Sequence, residues 1–254
     1  MLVVLSRRGL GGAALACLLL LACGARLARA GRGNGLPAAR LPDAAIWRVS
    51  TAAPDVAITF DDGPDPIFTP SMLAELRRHH AVGTFFVLGI QAERYPAVLR
   101  AEAAEGSAVC NHGYAHKLLR GKADAVVAGE VAHAQTILDR AGVPRCDLFR
   151  FPYFASDAAA RSTVTRLGYR IVGANVDTKD WRRPSPASMA AQVLGRIQRG
   201  DIILLHDGGG PRLRSVQALG LILDGLRQRG LGAVTVGQLL ATSDDHRPPV
   251  GQGA

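Results

Sequence analysis

The sequence has no internal repeat, no run of lysine or arginine, and no apolar stretch of the roughly 20 residues that span a bilayer. Without a repeat, 254 residues suit one large domain, because α/β barrels often reach this size as a single unit. Without a basic run, the sequence argues against a nucleic-acid-binding protein. Without a long apolar stretch, a retained membrane helix is the weakest interpretation of the N-terminus.

The formal net charge of +9 comes partly from the first 30 residues, which carry four arginines and no acidic residue. The remaining 26 basic and 21 acidic residues leave a net charge of +5, which indicates anionic surroundings only weakly. We therefore expect no nucleic-acid partner.

The first 30 residues have the order of a secretory signal peptide, which predicts an exported protein of the cell envelope or medium. Arg7 and Arg8 precede an apolar core at 15–22, and a small-residue cleavage site follows at 28–30. The arginine pair resembles a twin-arginine signal. Residues 20–23 resemble a lipoprotein signal, in which Cys23 would be acylated. We expect membrane contact only through such a lipid or through an uncleaved signal.

Cleavage after residue 30 would leave two cysteines, Cys110 and Cys146. In an oxidising compartment they could form one disulfide, and two buried thiols are the alternative. Both cysteines stand just before polar motifs, so a bridge would tie together two parts of one site.

Residues 31–53 are typical of a linker and residues 243–254 of a disordered tail. Between them, residues 54–242 alternate short apolar strands with helical stretches. This alternation predicts an α/β sheet or an incompletely closed barrel in a single domain, which we expect to be monomeric. The predicted strands are 56–60, 82–88, 107–110, 147–151, 169–175, 201–205 and 232–236. The predicted helices are 70–80, 95–105, 123–141, 156–167, 186–199 and 214–229.

Polar residues follow nearly every predicted strand, at the edge where barrels and open α/β sheets place active sites. Asp61 and Asp62 end the first strand before Gly63 and Pro64, a bend that could turn both carboxylates into one cleft. One acid could hold a metal while the other moves a proton. Taken alone, a solvated turn is the alternative.

His112 and His116 follow the third strand and are four residues apart, so both can share one face of a helical turn. Together with one carboxylate they would form a set that leaves zinc an open position for water.

The later strands end in Arg150, in Asp180 beside Trp181, and in His206. A fixed guanidinium could keep a general-base carboxylate ionised, although an ordinary ion pair would explain Arg150 equally well. An indole beside an acid often lines a ligand cleft. His206 leads into a glycine-rich loop, where an adjacent acid could tune it as a general acid; a buried core histidine is the alternative.

Five motifs together resemble those of the polysaccharide deacetylases, carbohydrate esterase family 4, whose shared unit is the NodB-homology domain. They occur in the family's order and approximate spacing over about residues 54–242. The motifs are Thr59-Phe-Asp-Asp-Gly63, His112-x-x-x-His116, Arg150-x-Pro-Tyr153, Asp177-x-x-Asp-Trp181 and Leu204-x-His206.

The resemblance implies a distorted, incompletely closed (β/α)7–8 barrel that hydrolyses the N-acetyl groups of N-acetylglucosamine polymers. It also implies one divalent metal ion, zinc first and cobalt or another ion as the alternative. Asp62, His112 and His116 would bind that ion. Asp61 would be the general base, oriented by Arg150.

On the other side of the site, the resemblance makes His206 the general acid that protonates the leaving amine, with Asp180 setting its charge. The backbone N–H of Tyr153 would help to hold the oxyanion. Trp181 and Leu204 would shape the pocket for the acetyl group and the sugar.

The chain departs from the family pattern at Gly113, where the family usually has Ser or Thr, and at Phe154, where it usually has Gly. These departures put the substrate scope in doubt. The leading function is an exported deacetylase of peptidoglycan, with chitin or chitooligosaccharides as alternative substrates. A catalytically silent glycan-binding domain would lack a metal ligand or the base, and neither is missing here. A phosphoesterase would want two metals and more bridging carboxylates.

Overall fold

The computed structural model describes residues 44–244, in which strands and helices alternate along the chain. The predicted signal peptide with Cys23, most of the predicted linker and most of the predicted tail lie outside the described residues. The strands are β1 (Asp55–Asp61), β2 (Thr84–Val87), β3 (Ala108–Asn111), β4 (Leu148–Phe149), β5 (Arg170–Ile171), β6 (Val176–Asp177), β7 (Ile202–His206) and β8 (Gly232–Val234). The α-helices are α1 (Phe68–Arg78), α2 (Gly89–Arg94), α3 (Pro96–Ala104), α4 (Asp124–Ala141), α5 (Ala158–Arg166), α6 (Pro186–Leu194), α7 (Leu213–Gln228) and α8 (Val236–Ala241).

The strands form one parallel sheet in the order β5-β4-β3-β2-β1-β7-β6, and β8 pairs with the first residues of β1. Among the described residues no pairing joins β5 to β6, so the curled sheet stays open between these two strands. The sequence-based expectation of an α/β, incompletely closed barrel in a single domain is therefore confirmed.

Strand β1 lies at the centre of the sheet, and four of its five inner residues, 56–58 and 60, are apolar. Residues 56–60 are fully buried, as is usual for a parallel strand that is covered on both sides. Phe60 stacks on Phe85 of β2 with ring centroids 4.6 Å apart. Residues 57–61 pair with β7 and residues 59–61 with β2, so the carboxyl end of β1 lies between two other strand ends.

Two predicted elements differ in extent for local reasons. The predicted helix 95–105 is preceded by a separate helix, α2, and the two meet at Tyr95. Pro96 lacks a backbone N–H and disfavours the helical conformation at the residue before it, so the chain bends there. The predicted helix 186–199 ends at Leu194. Gly200 therefore does not end this helix but lies in the turn before β7, with a φ of +82°. A Cβ at this position would lie 1.9 Å from the carbonyl oxygen of Val49, so the turn requires glycine.

The last residues of the predicted linker, from 44 onwards, pack at the open edge of the barrel. Ile46 pairs with Val172, just after β5, and Arg48 pairs with Asp201, just before β7. Trp47 lies so close to Gly173 that a Cβ there would be 2.4 Å from the indole ring. This segment therefore lies beside the chain that connects β5 to β6.

A disulfide joins Cys110 of β3 to Cys146, just before β4, which is one of the two alternatives left open by the sequence. It therefore links the carboxyl end of β3 to the chain just before the neighbouring strand β4, and each of these segments leads into a polar motif. Within residues 44–244, no helix has the length and apolar character needed to cross a membrane.

Candidate active site

A cleft of about 530 Å³ opens at the carboxyl ends of the strands. Eight of the ten residues that the sequence singled out line it, and Arg150 and Asp180 lie buried behind its walls. The lining residues are Asp61, Asp62, His112, His116, Tyr153, Phe154, Asp177, Trp181, Leu204, His206 and Arg212.

Both carboxylates at the end of β1 face the cleft, although successive residues of an extended strand would point apart. Asp62 takes a left-handed backbone conformation with a φ of +75°, which turns the chain at this point. The turn packs against Gly208 after β7, where a Cβ would lie 2.1 Å from the Asp62 carbonyl oxygen. Only glycine fits there, so the glycine-rich loop after His206 is required by this close backbone approach.

Asp62, His112 and His116 offer ligand atoms that all lie within 4.8 Å of one another. Asp62 Oδ1 is 3.2 Å from His116 Nε2 and 3.6 Å from His112 Nε2. This oxygen is buried and has no hydrogen-bond partner among the described residues. An orphaned carboxylate oxygen between two imidazoles fits a divalent cation, which would satisfy all three groups.

The protonation of the three groups suits the same use. The Nδ1–H of His112 donates to the carbonyl of Arg150 over 2.7 Å, which leaves a lone pair on Nε2 toward Asp62. Burial lowers the pKa of His116 and outweighs the opposite effect of Asp62, which favours the neutral imidazole that can bind a metal. Burial alone would raise the pKa of Asp62, but the nearby imidazoles hold it well below its usual range.

The loop that carries the two histidines is held by Glu130 of α4. Its carboxylate accepts hydrogen bonds from the backbone N–H groups of Tyr114 and Ala115 and from Lys117 Nζ. Gly113 has a φ of +82°, a conformation that favours glycine, and its N–H donates to the side chain of Asn111. The Ser or Thr hydroxyl that the family usually has at this position is thus not the only means of fixing the loop.

The first wall of the cleft is built on Arg150, which is fully buried. Its Nη1 donates to Asp61 Oδ1 over 2.7 Å and to Thr59 Oγ1 over 2.8 Å, and its Nη2 donates to the Gly173 carbonyl over 2.8 Å. The guanidinium also lies over the Phe86 ring, 4.2 Å from the ring centroid. Burial and several acceptors distinguish this contact from an ordinary surface ion pair, and they fix Asp61 in one orientation.

The second wall contains His206 at the end of β7 and Asp180 in the short 3-10 helix Asp180–Arg182. Asp180 Oδ1 accepts from His206 Nδ1 over 2.7 Å, and Oδ2 accepts from His206 N–H and from Ser215 Oγ. Burial opposes a charged imidazole, but the carboxylate outweighs burial and raises the pKa of His206 to about 9. His206 therefore carries a proton at neutral pH.

Tyr153, Trp181 and Leu204 shape the mouth and floor of the cleft. Tyr153 has a φ of +60°, and its ring meets the ring of His116 with centroids 4.5 Å apart. Trp181 is half exposed at the mouth, whereas Leu204 is buried. Phe154, where the family usually has Gly, packs against Trp47 with ring centroids 5.3 Å apart and lines the cleft.

The sequence analysis assigned no role to four residues that support the site: Thr59, Glu130, Arg212 and Ser215. Thr59 precedes Asp61 by two positions on one strand, so the alternation of side chains could have placed both on the same face. Glu130 and Ser215 reach the site from helices α4 and α7. Arg212 lies in the loop just after His206 and lines the cleft while its guanidinium donates to the carbonyls of Gly208 and Gly209.

Comparisons with known proteins agree with this geometry. The polysaccharide deacetylase family matches residues 48–172. The chain is 35% identical to a peptidoglycan-N-acetylglucosamine deacetylase of Bacillus cereus, over 76% of this chain and 92% of that protein. It is 33% identical to a chitooligosaccharide deacetylase of Azorhizobium caulinodans, over 72% of this chain and 93% of that protein. A solved peptidoglycan N-acetylglucosamine deacetylase, 32% identical, superposes with a TM-score of 0.74 over 78% of this chain and 92% of its own. The chain therefore belongs to the polysaccharide deacetylase family and is a hydrolase of amide bonds in N-acetylated glycans.

Proposed function

We propose that this protein is an exported, zinc-dependent deacetylase that removes the N-acetyl groups of N-acetylglucosamine in peptidoglycan. The observation that carries the proposal is the arrangement of two walls around Asp62, His112 and His116. Asp61 on one wall and His206 on the other each have a buried partner of opposite charge. An amide hydrolase needs one group that takes a proton and another that supplies one.

The proposal of a metal site rests on the donor atoms of Asp62, His112 and His116. One carboxylate and two imidazoles are a donor set that zinc takes readily, and cobalt is the alternative ion. A divalent ion held there lowers the pKa of a bound water and polarises an amide carbonyl. This support would be lost if the ion bound elsewhere in the chain.

The chain's own residues then divide the proton transfers. Asp61, held in one orientation by Arg150 Nη1, accepts the proton of the attacking water. The backbone N–H of Tyr153 donates to the carbonyl oxygen as negative charge develops on it. His206 donates its Nε2 proton to the departing amine, while Asp180 holds Nδ1 and stabilises the charged ring. Trp181 and Leu204 hold the acetyl group and the sugar ring at the mouth of the cleft.

Export is proposed from the order of charged, apolar and small residues at positions 1–30. The disulfide between Cys110 and Cys146 supports an oxidising compartment, since such bonds are rare in the cytosol. An envelope location would bring the enzyme to peptidoglycan. Chitooligosaccharides are the alternative substrate, because a chitooligosaccharide deacetylase matches this chain nearly as well.

The test is acetate release by the mature protein from peptidoglycan and from N-acetylglucosamine oligomers, with chelator and with zinc added back. Release that chelator abolishes and zinc restores is expected, with the higher kcat/KM on peptidoglycan. A protein that binds zinc and releases no acetate from either glycan would instead act on another acylated substrate or be a glycan-binding domain. More than one metal per chain, measured by elemental analysis, would favour a phosphoesterase.

A further inference from the structure

Four basic side chains stand together beside the mouth of the cleft: Lys179, Arg182, Arg183 and Arg214. We call them the basic rim. Three of them belong to or flank the 3-10 helix that carries Trp181, and Arg214 lies in the first turn of α7. All four are exposed, and none forms an ion pair with a carboxylate of the described residues. Positive charge therefore remains uncompensated at this side of the entrance.

Two members of the basic rim are held in place. The Arg182 guanidinium lies over the ring of Trp181, 4.6 Å from its centroid, and Trp181 itself lines the cleft. Arg214 Nη1 donates to the carbonyl of Arg183, which joins the start of α7 to the end of the 3-10 helix. A side chain that is already oriented loses less conformational entropy when it meets a ligand, so these two arginines suit recognition better than free surface charges.

The acidic side chains near the basic rim do not neutralise its positive charge. Asp180 is buried and already shared by His206 and Ser215. Asp177 lines the cleft, and its Oδ1 accepts the backbone N–H of Lys179. Apart from Asp62 of the metal-ligand set, Asp177 is the one partly exposed carboxylate that lines the described cleft, and it stands against four cations.

We propose that the basic rim is a specificity subsite for a carboxylate carried by the glycan beside the reacting N-acetylglucosamine. The inference rests on the proposed function, because it concerns the substrate of the same cleft. A peptidoglycan strand offers such a group on every second sugar, either as a lactyl carboxylate or on the attached peptide. Chitin and its oligomers are neutral. The rim would therefore select an anionic glycan strand over a neutral one of equal length.

The test compares three substrates of matched length. One is a peptide-free strand of alternating N-acetylglucosamine and N-acetylmuramic acid with free lactyl carboxylates. The second is the same strand with those carboxylates converted to methylamides. The third is a chitooligosaccharide. The enzyme variants are R182Q/R214Q and a control, R100Q/R140Q, which removes the same charge from exposed positions on α3 and α4.

The expected result is a KM for the anionic strand that rises about five-fold in R182Q/R214Q, since exposed pairs contribute modestly and two are lost. The KM values for the methylamide strand and the chitooligosaccharide should stay within two-fold, and R100Q/R140Q should match the wild type on all three substrates. The wild-type preference for the anionic strand should also shrink as salt is added.

An equal rise in KM on all three substrates would overturn the inference, because the rim would then act by supporting Trp181. An unchanged KM on the anionic strand would overturn it as well. If the wild type releases no acetate from any strand, the proposed function fails instead. In that case calorimetry measures the affinities of the wild type and of R182Q/R214Q for the anionic and methylamide strands. A loss of affinity in R182Q/R214Q for the anionic strand alone would support the basic rim as a carboxylate subsite, and equal affinities would overturn it.

Discussion

The cleft contains two histidines with the same hydrogen-bond geometry and different acceptors: His112 of the metal-ligand set and His206 of the second wall. His112 Nδ1 donates over 2.7 Å to the backbone carbonyl of Arg150, and His206 Nδ1 donates over 2.7 Å to the carboxylate of Asp180. A neutral carbonyl fixes the tautomer and leaves a lone pair on Nε2, whereas a carboxylate also stabilises the imidazolium. The acceptor, rather than the histidine, therefore determines which ring can bind a metal and which can donate a proton.

The two carboxylates at the end of β1 differ in the same way. Asp61 receives the buried guanidinium of Arg150, so one of its oxygens is already occupied. Asp62 keeps a buried oxygen without a hydrogen-bond partner in the described part of the chain, next to His116 and His112. One acid is held for proton transfer and its neighbour is left available as a ligand.

The largest effect is expected when the metal-ligand set of Asp62, His112 and His116 loses a member. We predict that His112→Ala abolishes both metal binding and acetate release, because Asp62 and His116 alone form an incomplete donor set. Bound metal is measured by elemental analysis after dialysis, and turnover by acetate release. His80→Ala, which removes an exposed imidazole, is the matched control and should behave as the wild type. Full metal content in His112→Ala would exclude His112 from the site.

Asp61→Asn separates the two carboxylates by their roles. We predict that this variant keeps its metal and loses activity by about 100-fold or more, the range for removal of a general base. It also leaves Arg150 without its charged partner, so its melting temperature should fall. Metal content, kcat and thermal unfolding are measured on the same preparation. Near-normal kcat would remove Asp61 from proton transfer and leave it a structural role only.

Asp180→Asn tests whether the acceptor sets the charge of His206. The pKa of His206 is raised to about 9 by Asp180 against the opposing effect of burial. In the wild type the acid form is present below that pKa and is lost as the pH rises through it. With a neutral amide the largest effect that raises this pKa is lost, and burial is then opposed only by the charges of Asp61 and Asp62. The alkaline limb of the pH–rate profile should therefore move to lower pH, and kcat should fall about 100-fold or more.

Ser215→Ala is the matched comparison for that profile. It removes one hydrogen bond from Asp180 but keeps the carboxylate charged, so the alkaline limb should move much less than in Asp180→Asn. Equal shifts in both variants would show that packing around Asp180, rather than its charge, controls His206.

The sequence allows the fold class and the site residues to be predicted for a specific physical reason. Parallel strands place their carboxyl ends at one edge, so residues that follow different strands, such as Asp61, His112 and His206, must meet there. The signal for β1 was strong because its run of apolar residues is bounded by Asp and Gly. Two-residue strands such as β6 carry no periodicity, which is why Val176 and Asp177 were expected to lie in a loop.

The pairs Asp61–Arg150 and His206–Asp180 were predicted, but the further hydrogen bonds that orient the site were not. The acceptor of His112 Nδ1 is a backbone carbonyl 38 residues away, and the donor to Asp180 is Ser215, 35 residues away. Neither contact follows a helical or strand spacing, so only the folded chain reveals it. Glu130 is a third example. The helix that carries it, α4, was predicted correctly, but the contact of its carboxylate with the loop of His112 and His116 was not.

Glu102 tests whether a buried ionisable group in this fold needs a partner, as Asp61 and His206 have. It lies on α3, fully buried, with neither carboxylate oxygen hydrogen-bonded within the described residues. Burial, and then the negative field of Asp207, raises the pKa of Glu102 well above the ordinary 4.5. For an acid whose folded pKa is raised, stability falls as the pH rises from 4.5 toward that folded pKa, because ionisation favours the unfolded chain.

We therefore predict that Glu102→Met stabilises the protein by about 1–3 kcal/mol, the cost of an unsatisfied buried polar group, and by more at pH 8 than at pH 5. Acetate release should be unchanged, since Glu102 does not line the cleft. Urea unfolding at the two pH values measures the effect. Glu105→Met, which replaces an exposed glutamate just after the same helix, should change stability by less than about 0.5 kcal/mol. A loss of stability in Glu102→Met would mean that this carboxyl has a partner after all, and that a buried acid in this fold needs one.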